Sequence, residues 1–461
     1  MRTVHDPDRL LAEGLAAIRG QFKVPASFPP EVLAAADRAA QKTPDQHTDR
    51  TDVPFVTLDP AASTDLDQAF AIEAAGSDLL LRYAIADVAW FVDDGDSLDV
   101  EAWQRGMTTY LPDGKAGLYP AVLAEGAASL LPDGPRPAVV FAVRVAPDGA
   151  GKLEGAERAL IRSRAKLAYD GVRDDQLPTG FVELANRITA AEDRRGAARI
   201  DPPEQEVDKA ADGRFALHLR PMLLSETRNA ALSLATNLAV ADALQAAGTG
   251  LFRVMAGPDA HATKRLRLTA KAFALDWPAA LPLPDFERGL TPRDPRHAAF
   301  MLAVRRAGDG ASYVPFTPGV QPWHSAMAAT YAHATAPLRR LADRYVIRAA
   351  LAVANGQPVP AAVTEAFARL PAVMDKAEAH GSQIERAVID LAETALLSGR
   401  EGDVFAAIVT DLGETGARIQ LCEVPVVART TAHGVVPGDA IRVKLIASDP
   451  IQRRVEFSRV A

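Results

Sequence analysis

The chain of 461 residues has one cysteine, Cys422. That excludes an intramolecular disulfide and a cysteine-built zinc cage, and it suits a reducing cytoplasm. No run of about 18 apolar residues occurs, so no membrane-spanning helix is expected. The N-terminal stretch MRTVHDPDRLLAEGL has no apolar signal core, so no export is expected. Positive charge is short as well: the formal net charge is −8. A chain that contacts phosphates usually carries a basic footprint, so charge alone speaks against a nucleic-acid partner. Arginine, however, far outnumbers lysine, and its planar fork suits phosphate recognition. A GC-rich genome explains the same excess. The apolar share of 48% and charged share of 24% fit a soluble globular protein, and the length suggests two or three domains.

Three regions differ in pattern. Residues 1–48 read as a short helical module of two helices, in one reading a helix-turn-helix. Leu10, Leu11, Leu15 and Ile18 form an apolar stripe at helical spacing, and Pro29 and Pro30 open a second helix over 31–40. The polar segment 42–52 reads as a linker. Residues 49–398 read as one α+β region of mixed sheet and helices. PFVTLDP, LLLRYAIADVAWFV and PAVVFAVRV look like strands. Helical patterns follow over 226–247, 297–307, 336–355 and 361–398. Residues 399–461 show about five short strands (405–409, 417–421, 426–430, 440–446 and 454–458) punctuated by Gly413, Gly416, Gly434 and Gly438. That spacing predicts a small five-stranded barrel, an OB-fold first, with another small sandwich as the alternative.

The most informative stretch is TLDPAASTDLDQAF. It leaves an apolar strand and places Asp59, Asp65 and Asp67 within nine residues, with Gln68 next. Asp65 and Asp67 alternate, so in an extended segment they point the same way. Such carboxylates repel one another unless a cation sits among them, and hard oxygen ligands favour magnesium. Two such ions can clamp the attacking and leaving oxygens of a phosphodiester. A solvated loop with capping aspartates is the plain alternative. A calcium loop of EF-hand type is not indicated, because its glycine and terminal glutamate are missing.

In context this stretch resembles the RNB catalytic domain of the ribonuclease II family, whose signature is T-[IL]-D-x5-D-[ILM]-D-D. Four further segments resemble family motifs in the same order: LRYAIADVAWFVDDGDSLDVEAWQRGMTTYLPDG, IRSRAKLAYDGV, ATYAHATAPLRRLADRY and IERAVIDLA. The resemblance runs from about residue 49 to the C-terminus. It implies a magnesium-dependent enzyme, with one or two ions and manganese as the other candidate. That enzyme would hydrolyse single-stranded RNA from a free 3′ end to 5′-mononucleotides.

Under the resemblance, Asp59, Asp65, Asp67 and Gln68 take the places of the metal-binding aspartates, and Asp65 and Asp67 act in cleavage. Gln68 departs from the pattern, because it offers a carbonyl oxygen without charge. Arg339 takes the catalytic arginine's place. Tyr169 takes that of a base-stacking tyrosine, with His324 or Trp323 as its partner. Tyr331 and Thr335 would line the channel, and Glu385 would lie near the end of the RNA path. Arg158, Arg162, Arg164 and Lys166 offer a phosphate track. Phe405 and Phe457 are the main stacking candidates on the barrel, which would hold RNA upstream.

The family usually begins with two cold-shock-type domains, and here only about 50 helical residues stand there. A wider entrance that admits duplexes with 3′ overhangs is the corresponding expectation. The rival reading is a weak or inactive RNB-domain protein that binds RNA 3′ ends. A phosphoesterase of small molecules is a third. No oligomer seam is visible, so a monomer is expected.

Overall fold

The computed structural model describes residues 2–4, 10–198, 204–209, 215–220, 222–291, 294–308, 310–413 and 416–460. Its centre is a seven-stranded sheet. The strands are β1 (Thr48–Asp49), β2 (Phe55–Asp59), β3 (Gln68–Ala75), β4 (Asp78–Ala86), β5 (Arg136–Val145), β6 (Gly151–Ile161) and β7 (Ser163–Ala168), ordered β7-β2-β3-β4-β5-β6-β1. The two outer pairs, β7–β2 and β1–β6, are parallel, and the pairs between them are antiparallel. The middle strands read as near-continuous apolar runs because helices cover them; Phe55, Phe70, Tyr83 and Phe141 are all buried. Helices α3 (Leu224–Ala246) and α4 (Leu341–Ala354) share this core, and Phe181 of a neighbouring helix stacks on Phe70 at 5.4 Å.

Several expectations shift. Segment 42–52 is no linker, because Thr48–Asp49 pairs with β6 and Arg50 forms an ion pair with Glu157 at 2.8 Å. Strand β4 stops at Ala86, and Val88–Phe91 turn helical. The two N-terminal helices do not share a core of their own. Helix α1 (Leu10–Gln21) buries Leu11, Leu15 and Ile18 against Ile384, Val388 and Leu391 of the long helix α5 (Ala361–Leu397). Helix α2 (Pro30–Ala39) buries Val32, Ala36 and Ala39 in the main core instead. Gly14 permits the close approach of α1 to α5, since a Cβ there would sit 2.5 Å from the Leu391 side chain. Helix α5 continues through Pro371, which removes one backbone donor, because Val363, Phe367, Leu370 and Met374 stay in the core on either side of it.

The C-terminal strands β8 (Val404–Gly413), β9 (Gly416–Leu421), β10 (Val427–Thr431), β11 (Ala440–Asp449) and β12 (Arg454–Val460) close into a barrel, ordered β8-β9-β10-β12-β11. Burial alternates along β9 and through most of β11, as a filled barrel requires. Phe405 and Phe457 are 1% and 2% exposed and meet edge to face. They fill the barrel and cannot stack on RNA.

Glu393 of α5 fastens the barrel to the body. Its Oε1 accepts from the Val427 N–H at 2.8 Å and from Gln205 Nε2 at 2.7 Å. Burial pushes its carboxyl up to about 7, against these two donors. A raised carboxyl binds its proton more tightly folded than unfolded. Its contribution is complete below the ordinary value near 4.5 and is lost as pH rises through 7. Glu393→Gln, which keeps an acceptor oxygen and cannot ionise, is expected to melt close to wild type at pH 5 and about 2–4 °C above it at pH 8. Calorimetry at the two pH values checks this. An equal gap at both would show that Glu393 ionises freely in the fold.

Candidate active site

The acidic loop hangs from the end of β2. Pro60 follows Asp59 and cannot continue the ladder, so the chain leaves the sheet and returns at β3 (Gln68). Local bonds fix the return. The Ser129 hydroxyl donates to the Thr64 carbonyl at 2.7 Å and accepts from the Leu66 N–H at 2.9 Å. Lys166 of β7 donates to the Ala61 carbonyl at 2.8 Å. The Ala86 N–H donates to the Asp67 carbonyl at 2.9 Å.

The second wall comes from 331–340, just before α4. The sequence reading carries the helix back to residue 336, but α4 begins at Leu341. Buried Asp343 explains the difference. It accepts from the N–H groups of Thr335 and Ala336 at 3.0 and 2.8 Å, and from Arg340 at 2.9 and 2.8 Å. This folds the preceding turn back over the helix N-terminus. Burial opposes its charge, but Arg340 and these donors outweigh it and hold the carboxyl below its ordinary value. The turn delivers the Leu338 N–H to Asp67 Oδ1 at 2.7 Å and Arg339 Nε to Asp67 Oδ2 at 3.6 Å.

Asp67 therefore meets Arg339, and Asp59 lies close enough to feel the charges of Arg339 and Asp65. Burial lifts Asp67 to about 7 and Asp59 to about 6, and Arg339 offsets both only in part. These carboxylates are short of positive charge. Asp65 meets Lys115 Nζ at 3.0 Å and the Tyr110 hydroxyl at 3.3 Å. Among the described residues, no three His, Cys, Asp or Glu side chains are gathered as a finished metal cage. Of the three arginines in this region, half-buried Arg340 pairs with Asp343 and buried Arg344 with Asp99. Arg339 is 47% exposed and is the one that faces solvent.

Other expected residues sit differently. Gln68 gives its Oε1 to the buried Tyr83 hydroxyl, a diagonal neighbour on the same face of β3 and β4. Burial raises that phenol, so it stays a donor. Tyr169 does join the site, where its N–H donates to the Asp59 carbonyl at 3.2 Å. Its ring is half-buried, and its hydroxyl accepts from Asn229 at 2.9 Å. Thr335 is buried and bonded to Ser233 at 2.9 Å. Tyr331 is half-buried and accepts from Asn237 at 3.2 Å. His324 is buried edge-on to Tyr331, and burial lowers it to about 4, so it is neutral; Trp323 beside it is 46% exposed.

Glu385 lies in a groove of about 370 Å³ between α5 and the barrel, with Arg386 and Arg418. The expected phosphate track is largely spoken for. Arg164 donates to the Thr51 carbonyl at 2.6 Å, Lys166 holds Ala61, and Arg158 pairs with Asp87 at 2.9 Å. These chains hold loops against the sheet edge. Sequence reasoning missed Tyr110, Lys115, Asn229 and Tyr83. Tyr110 lay inside a quoted motif, TTYLPDG, but nothing local shows that its hairpin turns back onto Asp65.

The model of the RNB domain matches residues 47–355, and that of the RNase II-type exonuclease C-terminal S1 domain matches 403–460. Ribonuclease R of Aquifex aeolicus is 26% identical over 95% of this chain and 69% of its own length. Exoribonuclease 2 of Cronobacter sakazakii is 29% identical over 90% of this chain and 67% of its own. Among solved structures, Mycoplasma genitalium RNase R in complex with ribose-methylated single-stranded RNA superposes with a TM-score of 0.88 at 20% identity. That match covers 100% of this chain and 79% of that one. Yeast Ssd1, described as a pseudonuclease, has a TM-score of 0.70 at 17% identity over 98% of this chain and 58% of that one. With its acidic loop and arginine turn set in a fold matched to the RNB domain over most of its length, the chain belongs to the ribonuclease II family of RNB-domain exoribonucleases.

Proposed function

We propose that the protein hydrolyses single-stranded RNA from the 3′ end and releases 5′-mononucleotides. The observation that carries this is the pairing of buried Asp67 and half-buried Asp59, both short of countercharge, with the exposed guanidinium of Arg339. Hard, anionic oxygens short of countercharge fit a hard divalent cation. Asp59, Asp65 and Asp67 would hold magnesium, or manganese, which when bound polarises a phosphoryl oxygen and acidifies water. Gln68 fits that role less well, because Tyr83 occupies its oxygen.

The remaining work falls to the chain. Arg339 is placed to stabilise charge growing on the phosphate. Tyr110, 53% exposed beside Asp65, offers a ring on which the terminal base can stack, a contact worth about 1–3 kcal/mol and tolerant of sequence. Half-buried Tyr169 fixes Asn229 and the Asp59 strand end. In the reaction, water oxygen bonds to phosphorus and the bond from phosphorus to the 3′ oxygen of the preceding nucleotide breaks. The water gives up a proton and the 3′ oxygen takes one up.

The second reading, a protein that binds RNA without cutting it, is favoured by the engagement of Gln68 and by the shared fold of a pseudonuclease. A denaturing-gel time course with 5′-labelled single-stranded RNA separates the two. Stepwise shortening with magnesium, none with chelator, and 5′-mononucleotides on chromatography are expected. Intact RNA with a mobility shift would support the binding reading, and internal cuts would exclude an exonuclease.

A further inference from the structure

The hairpin of Thr109–Leu111 and Gly114–Ala116 carries a lysine, Lys115, next to Tyr110. Tyr110 and Lys115 are direct cross-strand partners, so their side chains leave the same face. Both reach Asp65: the hydroxyl goes to Oδ2 and the ammonium to Oδ1 at 3.0 Å. Lys115 Nζ also meets Glu125 Oε1 at 3.1 Å, and Glu125 accepts from the Thr64 hydroxyl at 2.8 Å. The ammonium thus sits between the acidic loop and the 123–127 turn, with its side chain 24% exposed. A lysine has three N–H donors, and two are taken here.

The hairpin is held from behind. Arg19 of α1 grips Asp113 in the hairpin turn with two bonds, at 2.8 and 3.1 Å. Helix α1 is itself packed on α5. The two-point grip and the packed helix fix where the ammonium stands, so little reorganisation is needed when substrate arrives.

A phosphodiester cleavage site can use two cations, one on each side of the phosphorus. Here Gln68 brings no charge and its oxygen belongs to Tyr83, while Asp65 already faces a cation that the chain provides. We propose that Lys115 is a catalytic residue that supplies the positive charge a second divalent ion would otherwise bring. Its third N–H reaches a phosphate oxygen of the terminal nucleotide, and the site binds a single divalent ion. The inference rests on the hydrolytic reading and names a residue of that same site.

Two measurements test it. Manganese binding, followed by the loss of the free-ion paramagnetic resonance signal, needs no RNA. One ion per chain is expected for wild type. Lys115→Ala, which releases Asp65 and Glu125, is expected to bind two. In the exonuclease assay Lys115→Ala is expected to lose on the order of 100-fold in kcat, with KM within about threefold, and to regain part of the rate with added ethylammonium. Two ions in the wild type, or a variant at full rate, would overturn the assignment. An RNA substrate left intact by wild type would sink the hydrolytic reading instead, and the manganese count would still decide how many ions the site holds.

Discussion

Asp67→Asn is expected to abolish RNA cleavage, by on the order of a thousandfold in kcat, at the upper end of what removing one preorganised group from an active site costs. The substitution is nearly isosteric. Its side-chain oxygen can still accept from the Leu338 N–H, so the loop that Asp67 pins stays in place. What disappears is the charge that faces Arg339 and that a cation would need. Asp67 is also the most deeply set of the three aspartates, 6% exposed. Single-turnover cleavage with saturating enzyme, alongside a melting curve, separates chemistry from folding. A folded variant that keeps a tenth of the wild-type rate would remove Asp67 from the catalytic set.

Asp343→Ala is expected to cost about 3–5 kcal/mol of stability, the range for breaking a buried ion pair by deleting one partner. Asp343 is fully buried and satisfies four donors, two from Arg340 and two from the backbone of Thr335 and Ala336. Its removal strands a half-buried guanidinium and two buried N–H groups, each of which carries a desolvation cost. The same turn carries Leu338 and Arg339 to Asp67, so activity is expected to fall further than the unfolded fraction explains. Asp343→Asn, which keeps an acceptor for the backbone donors, is expected to lose less. Urea denaturation, paired with rates measured where each variant is still folded, checks both points. A loss under 1 kcal/mol for the alanine variant would mean that the turn does not depend on this carboxylate.

The three arginines near residue 340 show where local pattern ends. Arg339, Arg340 and Arg344 are chemically alike in the sequence. Arg340 is structural because it pairs with Asp343, three residues on, and Arg344 because it is buried against Asp99 of a distant helix; of the three, Arg339 is left facing solvent. Tyr110 and Tyr169 tell the same story in reverse. The motif resemblance drew attention to Tyr169, whose hydroxyl is tied to Asn229, and passed over the more exposed ring of Tyr110. Gln68 was legible as a departure, but its partner Tyr83 lies on the next strand and emerges only from the register of β3 and β4.

By itself the sequence determined what depends on periodicity and on short-range spacing. The alternating strands of the barrel, the helical stripes of α1 and α5, and the three aspartates of one loop are all written within a few turns of chain. It also carried the family, because several motifs stand in one order. The tertiary structure decided what depends on long-range closure. It sent α1 and α2 to different cores, turned Phe405 and Phe457 inward, and brought Leu338 and Arg339 against Asp67 and Lys115 against Asp65. The physical reason is that burial and charge balance are sums over neighbours in space. A carboxylate's protonation, or an arginine's freedom to meet a phosphate, is fixed by residues that the chain supplies from far away.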